Sequence, residues 1–250
     1  MLFSQATVLK MHSVRYFRCN NCGFICTEEP YWLQEAYSDA ITGSDIGLVR
    51  RNTRLARIAE TLIRIFFSSK GLFLDYAGGY GLFVRLMRDR GLDFRWYDRY
   101  CTNLFAKGFT GSVEGNVSYR LMTAFEVFEH LVDPLEEIDQ MLTFSRNILF
   151  TTELVPSGCP KPEDWWYYGL EHGQHVSFYT KRTLEIIAAR HNMHLASNGK
   201  SMHLLSEKRM PICLFYLLAR YKAAMLISPL LPGTSLLPKD FSTVSSKELC

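Results

Sequence analysis

A short apolar run, Leu72-Phe73-Leu74, ends on Asp75 and gives way to three glycines in four positions, Gly78, Gly79 and Gly81. Directly after them Leu82–Met87 reads as a helix that Gly91 closes, and Phe94-Arg95-Trp96-Tyr97 reads as a second strand ending on Asp98. Strand, glycine turn, helix, strand is a βαβ unit, which requires a parallel sheet and a right-handed crossover. In such sheets the ligand crevice lies at the carboxyl ends of the strands, and small residues there let a ligand approach the backbone.

Two common nucleotide patterns are excluded at this turn. Counted from Ala77, G-x-G-x-x-G falls on Ala77, Gly79 and Leu82, and counted from Gly79 it falls on Gly79, Gly81 and Val84, so neither frame completes it. No Gly-Lys-Ser/Thr follows, so the phosphate-cradling Walker loop is absent as well. What stands is Asp-x-small-x-Gly-x-Gly, with an acid at the strand end.

The flanking pattern extends the unit. Leu55, Ile58, Ala59, Leu62, Ile63 and Phe66 recur at helical steps upstream, ending at Lys70-Gly71. Downstream, Leu121–Phe125 is a strand, Pro134 opens a helix with Leu135, Ile138, Met141 and Leu142 on one face, and Asn147–Thr151 is a further strand. Thr180 caps a helix through about Arg190, and His194–Ser197 and Met202–Ser206 flank a hairpin signal at Asn198-Gly199. The expected fold is α/β: a doubly wound, Rossmann-like, mostly parallel sheet with an antiparallel last strand. A small N-terminal Cys lobe (1–46) precedes the sheet domain (47–208), and a C-terminal helical extension and tail (209–250) follows. The tail from Thr234 reads as frayed.

Of the 250 residues, 48% are apolar and 21% charged, which is the globular range. Lys plus Arg number 28 and Asp plus Glu 25, and a net +3 is too small to point to nucleic acid as a partner. The first ten residues show no basic stretch followed by an apolar core, so the seven cysteines are expected reduced, in a cytoplasmic chain without a disulfide framework.

Asp75–Gly81 resembles motif I of the class I S-adenosylmethionine-dependent methyltransferases. In that resemblance Asp75, Tyr76, Ala77, Gly78, Gly79 and Gly81 form the cofactor turn, and Asp98, closing the second strand, is the acid that holds the cofactor's ribose hydroxyls. Thr123–Leu131 with Asp133-Pro134 resembles the motif after the fourth strand, especially in the ubiquinone-biosynthesis and sugar-methyltransferase branch. That places Phe125, Glu126 and His130 beside the cofactor, with Tyr76, Tyr80 and Phe125 as aromatic wall for the sulfonium. Two departures stand out. Alanine occupies position 77 where the family has its first glycine, a mild change if φ there is negative. The interval from Asp98 to Leu121 is short, so the third strand of the family's seven-stranded sheet is expected to be reduced.

Two further clusters carry chemistry. Cys19-Asn20-Asn21-Cys22-Gly23 is a C-x-x-C-G knuckle resembling half of a zinc ribbon. Zinc on Cys19 and Cys22, completed on paper by His12 and Cys26, and two or three free thiols both remain open. The four aromatics Trp165-Trp166-Tyr167-Tyr168 are followed, in the segment to Tyr179, by His172 and His175, and the stretch is expected over the sheet edge. Either histidine can serve as a general base, and the aromatics suit a small polar acceptor such as a sugar or nucleotide sugar. The implied activity is methyl transfer. A catalytically silent scaffold of the same fold and a nicotinamide-dependent oxidoreductase are the alternatives. Pro211–Pro232 reads as a buried or amphipathic helix or a membrane-surface contact. Oligomeric state is not legible.

Overall fold

The computed structural model describes residues 1–37, 46–112, 117–231 and 233–248. Pro232 and Cys250, the ends of the apolar stretch and of the tail, lie outside them. The chain opens with β1 (Leu2–Val8), β2 (His12–Arg18), β3 (Ile25–Thr27) and a single helical turn, α1 (Leu33–Ala36). Then come α2 (Leu48–Phe66), β4 (Leu72–Tyr76), α3 (Leu82–Arg88), β5 (Asp93–Tyr97), β6 (Leu121–Ala124), α4 (Pro134–Phe144) and β7 (Asn147–Thr151). The remainder is β8 (Ser177–Phe178), α5 (Lys181–Arg190), β9 (His194–Ser197), β10 (Met202–Ser206), α6 (Ile212–Leu218), α7 (Tyr221–Ile227) and α8 (Leu237–Glu248).

The main sheet has the order β5-β4-β6-β7-β10-β9. β5, β4, β6 and β7 are mutually parallel neighbours, and β10 runs antiparallel between β7 and β9. This is the expected α/β sheet with its antiparallel last strand. Strand alternation sends neighbouring side chains to opposite faces. Phe73, Phe94, Leu121, Leu149 and Leu204 pack under α2, α3, α6 and α7, whereas Leu74, Met122, Ile148, Phe150 and Leu205 pack under α4 and α5. The seventh strand of the resemblance is not formed among the described residues. In its place, among the described residues, a lone bridge joins Trp96 to Thr110.

A second, antiparallel sheet has the order β1-β2-β3-β8. Its fourth strand comes from Ser177–Phe178, so the N-terminal lobe is completed by a segment from within residues 47–208. Tyr167 and Tyr168 are buried in this lobe, where Tyr168 packs on Tyr16 and Phe178. The aromatic run therefore forms a core and not an open platform, and only Trp166 remains largely exposed, at 76%. Its rings are sequestered because a small two-layer lobe needs large apolar side chains to bury enough surface.

The tail departs from the frayed reading. Residues 237–248 form α8, which Asp240 fastens to α3: Arg88 donates to Asp240 through Nε (2.8 Å) and Nη2 (2.7 Å). Asp240 is 3% exposed. A polar Ser/Thr/Lys-rich segment can be ordered this way when one residue makes a bidentate buried pair.

Candidate functional site

A cavity of about 920 Å³ opens at the carboxyl ends of β4, β5 and β6. Its floor is the glycine turn, and the sheet's second strand dictates the turn's shape. Trp96 donates its indole N–H to the Gly79 carbonyl (2.8 Å), and Tyr97 accepts from the Gly78 amide (3.1 Å). Gly81 opens α3 with φ +82°, and a Cβ there would lie 2.6 Å from Asn103 Oδ1, so position 81 needs glycine on both counts. Gly79, at φ +53°, faces open space.

Ala77 has φ +53°. The mild reading of this departure is therefore corrected: alanine stands in the left-handed region, where its Cβ crowds the backbone. Ala77→Gly is expected to raise stability by about 0.5–1 kcal/mol, the relieved strain exceeding the added unfolded-chain entropy. Thermal unfolding checks it, and an unchanged or lower midpoint would count against a strained Ala77.

Asp98 is built into the turn it serves. Oδ2 accepts from the Gly79 amide (2.9 Å), and Oδ1 accepts from the Tyr100 and Cys101 amides (2.8 Å each). A carboxylate has about four acceptor sites, so roughly one remains for a ligand hydroxyl, on Oδ2. Asp75 is buried beneath the turn, where Thr123 donates to it (2.6 Å). Burial outweighs that bond and pushes its carboxyl up to about 7, with a small push from Asp98. Tyr76 lines the cavity with its hydroxyl donated to Glu137, and Phe125 stands edge-on to Phe83 at 5.0 Å.

The cavity wall is acidic. Asp75, Asp98, Glu126, Asp133, Glu136 and Glu137 line it, against Arg51 and Arg99. Arg99 is already engaged, donating to the Tyr97 hydroxyl (3.0 Å). Such a wall attracts a cationic ligand and repels pyrophosphate.

At one end of the cavity, Glu126 takes φ +56°, a strained conformation for a non-glycine residue. Its amide donates to Thr151 Oγ1 (2.8 Å), whose hydroxyl donates back to Glu126 Oε1 (2.7 Å). His130 lies next to it on the wall. Its Nδ1 is 3.1 Å from the Gln174 carbonyl and 2.9 Å from the Tyr37 hydroxyl, and His175 Nδ1 is 2.6 Å from the Tyr167 carbonyl. A carbonyl only accepts, so each Nδ1 carries the proton and each Nε2 keeps its lone pair. Glu129 is fully buried beside them, and neither carboxylate oxygen has a hydrogen-bond partner. Ligand atoms of Glu129, His130 and His175 lie within 4.8 Å of one another. Burial pushes Glu129 well up, reinforced by Glu126; it lowers His130 to about 4 and takes His175 well below the usual range.

Of the two predicted bases, neither lines the cavity among the described residues. His175 stands one ring behind His130 (4.9 Å between centroids), and His172 one ring behind His175 (4.7 Å). Trp165–Tyr168 are also absent from the wall. Its rings come instead from Tyr37, Tyr76, Tyr80, Phe83, Tyr97, Tyr100 and Phe125. Nothing local in the sequence ties Tyr37 to His130, 93 residues away. Trp96 was legible only as a strand residue.

The cysteine knuckle lies elsewhere, against the start of α5, where Thr180 Oγ1 donates to the Cys22 carbonyl (2.5 Å). Backbone amides of Cys22 and Asn21, then the Cys22 thiol, hold Cys19 below the usual thiol range. His12 is turned to Glu35 (2.8 Å), and among the described residues no third His, Cys, Asp or Glu donor gathers with Cys19 and Cys22. The knuckle does not close a four-ligand zinc site.

A family model described as a methyltransferase domain matches residues 49–197. A search of curated proteins returns no match. Among solved structures the chain is similar to an O-methyltransferase family protein from Burkholderia thailandensis, with 11% identity over 72% of this chain and 64% of that one, at TM-score 0.50. It is also similar to CalO1, a methyltransferase in calicheamicin biosynthesis in its SAH-bound form, with 19% identity over 71% of this chain and 60% of that one, at TM-score 0.49. An O-methyltransferase family 2 protein from Planctomyces limnophilus in complex with apigenin gives 16%, 70%, 65% and 0.47 in the same order. The chain spans about three fifths of the length of these structures.

Proposed function

The chain belongs to the methyltransferase-domain family, and from that premise we propose that it moves the methyl group of S-adenosylmethionine to a small polar acceptor held in the same cavity. The acidic wall is the observation that carries this reading. S-adenosylmethionine is a net cation, its sulfonium and ammonium outweighing its one carboxylate, and among the described residues five lining acids besides the partly neutral Asp75 face two arginines. A nicotinamide dinucleotide brings a pyrophosphate, which the same wall repels, so the oxidoreductase alternative falls behind. By the same reasoning an uncharged sugar fits better than a nucleotide sugar. That acceptor class rests on the family resemblance, since the aromatic run once offered for it is buried in the N-terminal lobe.

In this reading the cofactor lies across Gly79, its ribose hydroxyl donating to the remaining acceptor site of Asp98. The rings of Tyr80 and Phe125 flank the sulfonium, where an aromatic face favours a cation. The protein aligns the acceptor oxygen or nitrogen with the methyl carbon and keeps water out. Titration calorimetry tests the reading. Heat is expected with S-adenosylmethionine and S-adenosylhomocysteine and not with NADH. No heat with either at millimolar concentration would favour the catalytically silent scaffold.

Glu129, His130 and His175 are the residues that would hold a divalent cation here. Both imidazoles have their Nδ1 on a backbone carbonyl, which is the outer-shell arrangement of histidine ligands, and the buried Glu129 carboxyl lies within reach of both rings. Such a cation would supply Lewis acidity at the end of the cavity that His130 lines. Elemental analysis and Mn²⁺ titration of the purified chain are expected to give one site, which Glu129→Gln weakens at least tenfold. Equal Mn²⁺ affinity in the variant would leave Glu129 as a protonated core acid.

A further inference from the structure

Residues 212–230 form a V, with α6 and α7 bent by 84° at Ala219-Arg220. Phe215, Leu218 and Ala224 face inward and are buried against α2 and β9. The outward side is apolar as well. Ile212 (56%), Leu217 (50%), Leu226 (70%) and Leu230 (81%) are exposed, with Tyr216 and Met225 between them. A surface this apolar on consecutive helices marks a contact site, not scattered surface leucines.

The charges around it choose the occupant. From residue 208 to 239 the chain contains Lys208, Arg209, Arg220, Lys222 and Lys239 and no Asp or Glu. Arg50 and the exposed Arg54 of α2 add to this side, and the Arg54 guanidinium lies 5.1 Å from the Tyr221 ring centre. Glu60, an acid of α2 near this side, is buried, where it is held by Arg64 and by the Ser228 hydroxyl. A second copy of the chain docking face to face would bring the two sets of cations together, which costs binding energy. An anionic bilayer surface meets both features: acyl chains cover the leucines and headgroup phosphates face the lysines and arginines. No single helix here is long enough to span, because seven residues of helix reach only about 10 Å against a hydrocarbon core of about 30 Å, and the 84° bend keeps the two from adding their lengths along one axis.

We propose that the α6–α7 elbow is a monotopic docking surface that seats the protein on anionic lipid bilayers. This extends the membrane-surface expectation to named side chains and a lipid charge, and it does not depend on the cofactor reading.

Vesicle flotation of the full chain tests it, with phosphatidylcholine vesicles compared against phosphatidylcholine–phosphatidylglycerol vesicles. Flotation is expected with the anionic vesicles and is expected to weaken at high salt. Leu217→Glu with Leu226→Glu is expected to lower bound protein at least tenfold, and Lys208→Glu with Lys222→Glu to abolish the preference for anionic vesicles. All of these side chains are exposed, so circular dichroism and S-adenosylhomocysteine binding should be unchanged in both variants. No flotation of the parent chain with anionic vesicles would overturn the proposal, as would undiminished flotation of the leucine variant. A dimer in sedimentation that the leucine variant dissociates, without vesicle binding by the parent, would assign the elbow to a second copy and overturn it equally.

Discussion

Asp98→Ala is expected to weaken S-adenosylmethionine binding by at least about 100-fold. A hydrogen bond to a charged acceptor contributes about 1.5–3 kcal/mol, and each 1.4 kcal/mol is tenfold in affinity. The structure adds a second loss, since the same carboxylate organises the floor of the site. Its removal frees the amides of Gly79, Tyr100 and Cys101 together. Asp98→Asn should fall between parent and alanine variant. Its amide keeps one accepting oxygen but turns an N–H toward a backbone N–H, whichever way it is placed. Calorimetry with S-adenosylhomocysteine measures both, with thermal unfolding run alongside to separate a binding defect from a folding one. An alanine variant that folds and binds as tightly as the parent would remove the ribose assignment.

Asp240→Asn is expected to destabilise the fold by about 1.5–3 kcal/mol, since it removes the charge that accepts two guanidinium bonds of buried Arg88 while Asp93 stays paired with Arg88. For a chain of this size that corresponds to a fall of roughly 3–12 °C in Tm. Arg88 is the partner that loses most, although it keeps its ion pair with Asp93. Besides Asp240 it donates to the Phe94 carbonyl (2.9 Å) and lies 3.8 Å from the Phe109 ring centre, so it cannot swing out to water cheaply. Burial raises the Asp240 carboxyl, but the bonds from Arg88 and Arg85 outweigh it and hold the group below its ordinary value. A depressed folded-state pKa means stability that is present above the unfolded value of about 3.9 and lost as pH falls through the folded one. The gap between parent and variant should therefore be full at neutral pH and shrink below about pH 4. Replacing both partners, as Arg88→Met with Asp240→Leu, should recover only part of the loss, because it removes the buried pair together but leaves Asp93 and Arg85 each one partner short. A single variant with an unchanged Tm would mean that α8 is not fastened through this pair.

How much of this was legible in the sequence varied with distance along the chain. The run from Leu72 to Asp98 shows its strand, turn, helix and strand directly, since hydrophobic period and glycine placement are local properties. Asp75, Gly78, Gly79, Gly81, Asp98, Phe125, Glu126 and His130 were all named from it and from the Thr123–Pro134 segment, and all but Gly81, which opens α3, line the cavity described above. The reading of the aromatic run failed for a physical reason. Trp165–Tyr168 has the composition of an open ligand platform and of a packed core alike, and only the pairing of β3 with β8 decides that it is core. The tail was misread in the same way. Its polarity is that of a loose end, and the acid that orders it meets an arginine 152 residues earlier.

The order of strands, the glycine turn and the acid at each strand tip were determined by the sequence alone, because each depends on residues within a few positions of one another. Tertiary structure alone decided the sign of φ at Ala77, the sharing of Asp98 among three amides, the meeting of Glu129, His130 and His175, and the exposure of the α6–α7 leucines. Those outcomes depend on which distant segments exclude water from which atoms, and a linear pattern carries no measure of that.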